Sequence, residues 1–176
     1  MTVSDPSPFH ALVETPLGWV AVMATDRGVR RIVLPRPSRE AALAALVEEE
    51  GDPGPEAPDR LADLLARLQA YFAGDPVSFD DVPLDLEGRP PFARAVWAAL
   101  RTLPRGQTIT YGELARRVGK PRAARAVGRA MATNPLPIII PCHRVLGKGN
   151  ALTGFGGGLD LKAAMLRLEG VPLPGM

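Results

Sequence analysis

The sequence predicts an α/β (α+β) protein in two parts. A small N-terminal domain with a three-stranded antiparallel sheet and helices is followed by a mostly helical helix-turn-helix domain. Three observations predict it. Residues 9–34 hold three short β-rich runs separated by tight turns. From residue 92 onward the pattern changes to short amphipathic helices, two of them joined by Gly119-Lys120-Pro121. The charge also divides near that boundary. Residues 1–88 carry 7 Lys and Arg against 16 Asp and Glu, a net of −9; residues 89–176 carry 14 against 3, a net of +11. The whole-chain charge of +2 hides this split. An acidic front and an arginine-rich back point to a polyanion partner for the second half.

The elements follow in order. Phe9 to Thr15, Trp19 to Ala24 and Val29 to Leu34 are the three strands of a meander, with turns at Pro16-Leu17-Gly18 and Thr25-Asp26-Arg27-Gly28. Ser38 is placed to cap a helix running to about Glu50, with Ala42, Ala45 and Leu46 at helical spacing. A second helix spans about Asp59 to Ala73, with Leu61, Leu64, Leu65 and Leu68 on one face and Gly74 as its stop. The proline-rich stretch from Asp75 to Pro91 has no helical period, so domains are expected at 1–82 and 92–176 with a linker at 83–91.

In the second half, Phe92 to Leu103 carries Val96, Trp97 and Leu100 on one face. Thr110 caps a helix from Tyr111 to Val118, and the next runs from Arg122 to about Thr133. Its residues Arg122, Arg125 and Arg129 share a face; Ala126, Gly128 and Ala130 are small and allow close approach to another backbone. Asn134-Pro135-Leu136-Pro137 breaks this helix, and Ile138-Ile139-Ile140 reads as a buried extended run. Val145 to Thr153 reads as a hairpin or wing. Leu159 to Glu169 closes the chain as a helix with Leu161, Met165 and Leu168 inward.

Composition excludes several classes. At 46% hydrophobic and 23% charged residues the chain is globular. No stretch approaches the roughly 20 apolar residues that span a bilayer. The start, MTVSDPSPFH, lacks the basic-then-apolar order of a secretory signal, so a cytoplasmic protein without membrane attachment is expected. With 1 Cys and 2 His, a zinc site built of Cys and His ligands is excluded on ligand count, and no metal or other cofactor is expected. His10 reads as structural or exposed, and Trp19 and Trp97 as core anchors.

The lone cysteine stands in Pro141-Cys142-His143-Arg144-Val145. A thiolate is a nucleophile, and imidazole and positive charge favour it. Adjacent side chains need not touch, so a water can carry a proton between Cys142 and His143. The acids available in the basic half to orient the imidazole are Glu113, Asp160 and Glu169.

Asn134-Pro135, Pro141 to Val145, Gly157-Gly158-Leu159 and Glu169-Gly170, with Thr110 to Ala115 and Ala124 to Gly128 upstream, closely resemble the O6-alkylguanine-DNA alkyltransferase family. The resemblance is strong from about Phe92 to Gly170, while the front half matches only in general layout. It implies a ribonuclease-H-like N-terminal domain and a winged helix-turn-helix C-terminal domain. It also implies a monomer that binds the minor groove of double-stranded DNA, flips out a damaged guanine and takes its O6-alkyl group irreversibly onto cysteine. O4-alkylthymine is a further substrate the resemblance allows. By the same resemblance Cys142 is the acceptor, His143 the water-mediated base, Glu169 its holder and Asn134 the tie between the helix-turn-helix and the active-site segment. Tyr111 protonates the leaving guanine and assists flipping. Arg125 fills the gap in the stack; Arg122, Arg129, Ala126, Gly128, Thr110 and Arg144 are DNA contacts. Pro137, Val145, Phe155, Gly156 and Gly157 line the base pocket. Phe155 replaces the tyrosine of many relatives and Gly156 offers no hydroxyl, which bears on substrate range. The zinc ligands of some members are absent. Two other classes would use the same features differently: a lesion-binding helix-turn-helix protein without chemistry, and a cysteine hydrolase that turns over.

Overall fold

A computed structural model describes residues 7–173; residues 1–6, which include most of the stretch read for a signal, and 174–176 lie outside it. The chain forms two compact units, residues 1–86 and 87–176. The α+β class read from the sequence is the observed one.

In the first unit β1 (Phe9–Thr15), β2 (Gly18–Thr25) and β3 (Gly28–Arg36) form an antiparallel sheet in sequence order. Strand alternation puts Leu12, Ala21, Met23 and Val33 on one face. There Ala42 and Leu46 of α1 (Arg39–Glu50) complete a buried cluster. Ser38 caps α1 by accepting from the Ala41 amide at 3.1 Å. A 3-10 turn (Pro58–Leu61) leads into α2 (Ala62–Phe72), which packs on β1. The sequence expects one helix over this span; Pro58 at the first position starts a tighter turn instead.

His10 is buried, and its Nδ1 donates to the Gly54 carbonyl at 2.9 Å, a structural role. The expected linker at 83–91 is partly inside this unit. Val29 N donates to the Pro83 carbonyl at 2.9 Å and Asp85 N to the Val29 carbonyl at 2.8 Å. The buried Asp85 carboxylate accepts from the Thr25 hydroxyl at 2.6 Å. Gly28 (φ 142°) permits this pairing, since a Cβ there would stand 2.4 Å from the Pro83 oxygen.

The second unit begins with α3 (Pro91–Arg101), whose Ala93, Val96, Trp97 and Leu100 are buried. β4 (Ile109–Thr110) leads into α4 (Tyr111–Arg117), and α5 (Ala124–Ala132) follows after the turn. Both α3 and α4 pack against α5. Thr110 caps α4: its hydroxyl accepts from the Glu113 amide at 3.2 Å and donates to the Glu113 carboxylate at 2.9 Å. Arg122 lies in the turn, not in the helix, which starts two residues later than the periodicity indicates.

Three further expectations change. The Ile138–Ile140 run is buried but tightly turned, with φ of 79° at Ile138. Residues 145–153 form no two-stranded hairpin. Instead β5 (Val145–Leu146) pairs in parallel with β4, so the ladder donors and acceptors go to a distant segment. On α6 (Leu159–Leu168) the buried residues are Lys162, Ala163, Met165 and Leu166, while Leu161 and Leu168 are half-buried. No helix among the described residues is long and apolar enough to cross a membrane.

Trp97 fixes the placement of α5. It is buried, and its Nε1 donates to the Ala130 carbonyl at 2.9 Å. Trp97→Phe keeps much of the apolar body and removes that donor. It is expected to destabilise the protein by about 1–2 kcal/mol, measured by urea denaturation.

Candidate active site

The site lies within the second unit and is built where α5 ends. The Asn134 side chain takes over where α5 ends: its Oδ1 accepts from the Leu136 amide at 2.9 Å, and its Nδ2 donates to the Ile140 carbonyl at 2.8 Å. The same Ile140 oxygen accepts from the Cys142 amide at 2.7 Å. Pro141, at φ −79° and ψ 65°, is the centre of that tight γ-turn. Cys142 then opens a 3-10 turn (Cys142–Arg144) whose first two residues are buried.

His143 and Glu169 meet at 2.6 Å, Nε2 to Oε2, with both side chains fully buried. The second carboxylate oxygen accepts from Arg144 Nε at 2.7 Å, and Arg144 Nη1 donates to the Leu103 carbonyl at 2.7 Å. Of the three acids offered by the sequence, Glu169 is thus the one at the imidazole. Glu113 is spent on its cap, and Asp160 lies exposed in the first turn of α6.

The electrostatics follow from burial. Desolvation would raise the Glu169 pKa, but the hydrogen bonds and charges of His143 and Arg144 overcome it and hold the carboxyl well below the usual range. An ionised carboxylate only accepts, so His143 Nε2 carries the hydrogen and Nδ1 the lone pair. Burial pushes the His143 pKa down, against the upward pull of Glu169, so the ring is neutral near pH 7. Burial pushes the Cys142 thiol up, and the Asn134 side chain and the Lys162 charge pull partly against it. A thiol so placed needs a base to become a nucleophile, and a neutral imidazole is one.

The remaining site residues divide. Arg125 and Arg129 are exposed on α5 and Arg122 in the turn before it, while Ala126 and Gly128 are half-buried there. A Cβ at Gly128 would meet nothing within 4 Å, so its smallness serves no packing within the unit. Tyr111 is half-buried at the start of α4, beside its cap Thr110. Pro137 and Val145 are buried, Phe155 is half-buried, and Gly156 and Gly157 are exposed. Arg144 is engaged within the unit. Its guanidinium bonds to the Glu169 carboxylate and the Leu103 carbonyl, with the side chain 12% exposed, so it acts as an internal clamp.

Sequence reasoning missed Lys162. Fully buried, it donates to the carbonyls of Val145 and Thr153 at 2.7 Å each, pinning both ends of the segment after the cysteine. Burial lowers its pKa to about 8 against the upward pull of Cys142. The available signal was a lysine inside the apolar stripe of α6. Among the described residues no group of three or more His, Cys, Asp or Glu is placed to hold a metal ion.

A helix-turn-helix with an exposed arginine face, in one unit with a buried thiol one residue before an imidazole–carboxylate pair, fits the class of nucleic-acid-binding proteins that carry a reactive cysteine. Residues 9–86 match the family model for the 6-O-methylguanine DNA methyltransferase ribonuclease-like domain, and residues 91–171 that for its DNA binding domain. The chain belongs to this family. It is 39% identical over 163 residues to a methylated-DNA–protein-cysteine methyltransferase of Methanosarcina acetivorans, covering 92% of this chain and 98% of that one. The Mycobacterium tuberculosis O6-methylguanine methyltransferase structure is similar at 36% identity and a TM-score of 0.76, covering 96% of each chain. The structure of M. tuberculosis OGT in complex with DNA is similar at 36% identity and a TM-score of 0.73, covering 92% of each.

The His143–Glu169 pair predicts a pH profile. His143 protonates only below its ordinary value of 6.5, so the rate of Cys142 alkylation should hold through neutrality and fall in acid. Stability should fall on the same side. Both folded pKa values lie below the unfolded ones, so the unfolded chain binds more protons as pH drops below 6.5 and then below 4.5. Glu169→Gln should slow alkylation by about 10²-fold. Single-turnover rates and denaturation midpoints against pH check both.

Proposed function

We propose that this protein repairs double-stranded DNA by taking the alkyl group from O6 of a flipped-out guanine onto its own Cys142, once per molecule. The observation that carries this reading is the buried 2.6 Å contact of His143 with Glu169 directly after a cysteine whose thiol burial would otherwise keep protonated. The thiol proton passes to His143 Nδ1, through a water where the two do not touch. The sulfur attacks the alkyl carbon, a carbon–sulfur bond forms, and the carbon–O6 bond breaks. The electron pair leaves with guanine, which Tyr111 neutralises by giving up its hydroxyl proton. The product is a thioether, a poor leaving group, so the cysteine is not regenerated.

Arginines 122, 125 and 129 supply the DNA contacts, with α5 in the minor groove. The open surface at Gly128 allows the backbone to approach the duplex. Arg125 enters the stack in place of the flipped base and offsets part of the few kcal/mol that extrusion costs. Pro137, Phe155, Gly156 and Gly157 form the pocket for the extruded base, and the protein acts as a monomer.

Incubation with a duplex holding O6-methylguanine should add the mass of one CH2 group to Cys142 and stop at one event per molecule. An unmodified chain with a free thiol would overturn the reading, and continued turnover would favour a hydrolase. Duplex affinity should fall steeply with salt, and Arg129→Ala should reduce the log–log slope by about 0.9 if it contacts a phosphate. Arg125→Ala should slow repair in duplex more than reaction with free O6-benzylguanine; equal losses would remove its role in the stack.

A further inference from the structure

Two non-glycine residues among those described have a left-handed backbone, Ile138 and Asn150. Asn150 is exposed, and asparagine tolerates that conformation. Ile138 is different: it is β-branched, 3% exposed, and has φ of 79°. A branched Cβ is disfavoured there, and such strain persists only where the surroundings over-determine it. The surroundings do so here. Ile140 N donates to the Leu136 carbonyl at 2.8 Å and closes a turn around Ile138. Asn134 grips both ends of that turn, at the Leu136 amide and the Ile140 carbonyl. Pro135, Pro137 and Pro141 stiffen the path. The strained turn delivers the Ile140 oxygen, and that oxygen receives the Cys142 amide.

We infer that Ile138 is a positioning residue for the transfer. Its buried side chain holds a left-handed bend that sets the Ile140 carbonyl and, through it, the place and angle of Cys142. The inference rests on the repair reading above. A glycine at 138 would adopt the bend without strain but would not hold it. Stability and rate are therefore expected to move in opposite directions, which a merely structural turn would not produce.

The test compares Ile138→Val, Ile138→Ala and Ile138→Gly in the full chain. Glycine ordinarily destabilises relative to alanine. Here the Gly variant should be the more stable of the two, by about 5-fold in the unfolding equilibrium constant from urea titrations. On O6-methylguanine duplex, its single-turnover rate at saturation should fall about 10-fold below that of the Ala variant, with the half-saturating duplex concentration unchanged. The Val variant, which keeps the branched side chain, should react at close to the wild-type rate. A Gly variant less stable than Ala, or as fast as Ala at saturation, overturns the inference while the wild-type chain still accepts the methyl group. A wild-type chain that accepts none overturns the repair reading itself and this inference with it.

Discussion

One buried carboxylate organises the reactive half of this protein. Glu169 sits at the C-terminal end of α6 with its side chain out of water, and it stays ionised because both oxygens are engaged. Burying such a charge alone is prohibitive, and removing one partner of a buried pair costs about 3–5 kcal/mol. Arg144 and His143, two residues of one 3-10 turn, are therefore drawn to a single point. That forces the backbone of the cysteine-bearing turn against the end of α6. Arg144 extends the same constraint to the Leu103 carbonyl after α3, and Arg105 adds a bond to the Leu168 carbonyl at 2.6 Å. One ionised group thus both fixes the geometry of the turn and sets the tautomer of His143.

The sequence made much of this legible, for identifiable reasons. Short β-rich runs and the tight turns at Gly18 and Gly28 exposed the meander, because turn chemistry between neighbouring strands is local. Ser38 and Thr110 were legible as caps because the hydroxyl-to-amide bond is local. What failed was non-local. The apolar run at Ile138–Ile140 reads as a strand by composition, yet Asn134 and the flanking prolines bend it. Val145 and Leu146 pair with Ile109 and Thr110, some 36 residues earlier, and no turn signal advertises a parallel pairing. Arg144 looked like one more cation on a basic surface. Only the position of Glu169 shows that its charge is spent inside. Lys162 was hidden because a lysine within an apolar stripe ordinarily reads as a boundary of that stripe.

The charge division gains a structural meaning from these assignments. The basic half spends part of its excess internally: Arg144 on Glu169, Lys162 on two carbonyls, Arg105 on a helix end. Arg122, Arg125 and Arg129, exposed along α5 and its preceding turn, are part of what remains available to a polyanion. In the first unit the positive charge is largely consumed instead. Arg31 pairs with Glu50 at 2.9 Å and Arg67 with Asp81 at 2.6 Å, and the remaining carboxylates leave that unit acidic. The charges alone therefore favour a polyanion at the second unit over the first.

If Cys142 accepts the alkyl group as proposed, its burial resolves a conflict that a single-use protein must face. An exposed thiolate reacts with any electrophile, and each stray reaction would consume a molecule permanently. Desolvation raises the thiol pKa and keeps Cys142, 8% exposed, in its unreactive form. In the proposed reaction the imidazole of the next residue supplies deprotonation only where a proton can be passed along, and the carboxylate keeps that imidazole in the accepting tautomer. Lys162 lies near enough for its charge to favour the anion once it forms, and the anion in turn favours the lysine's charge. On that reading reactivity belongs to the assembled set, not to the cysteine alone.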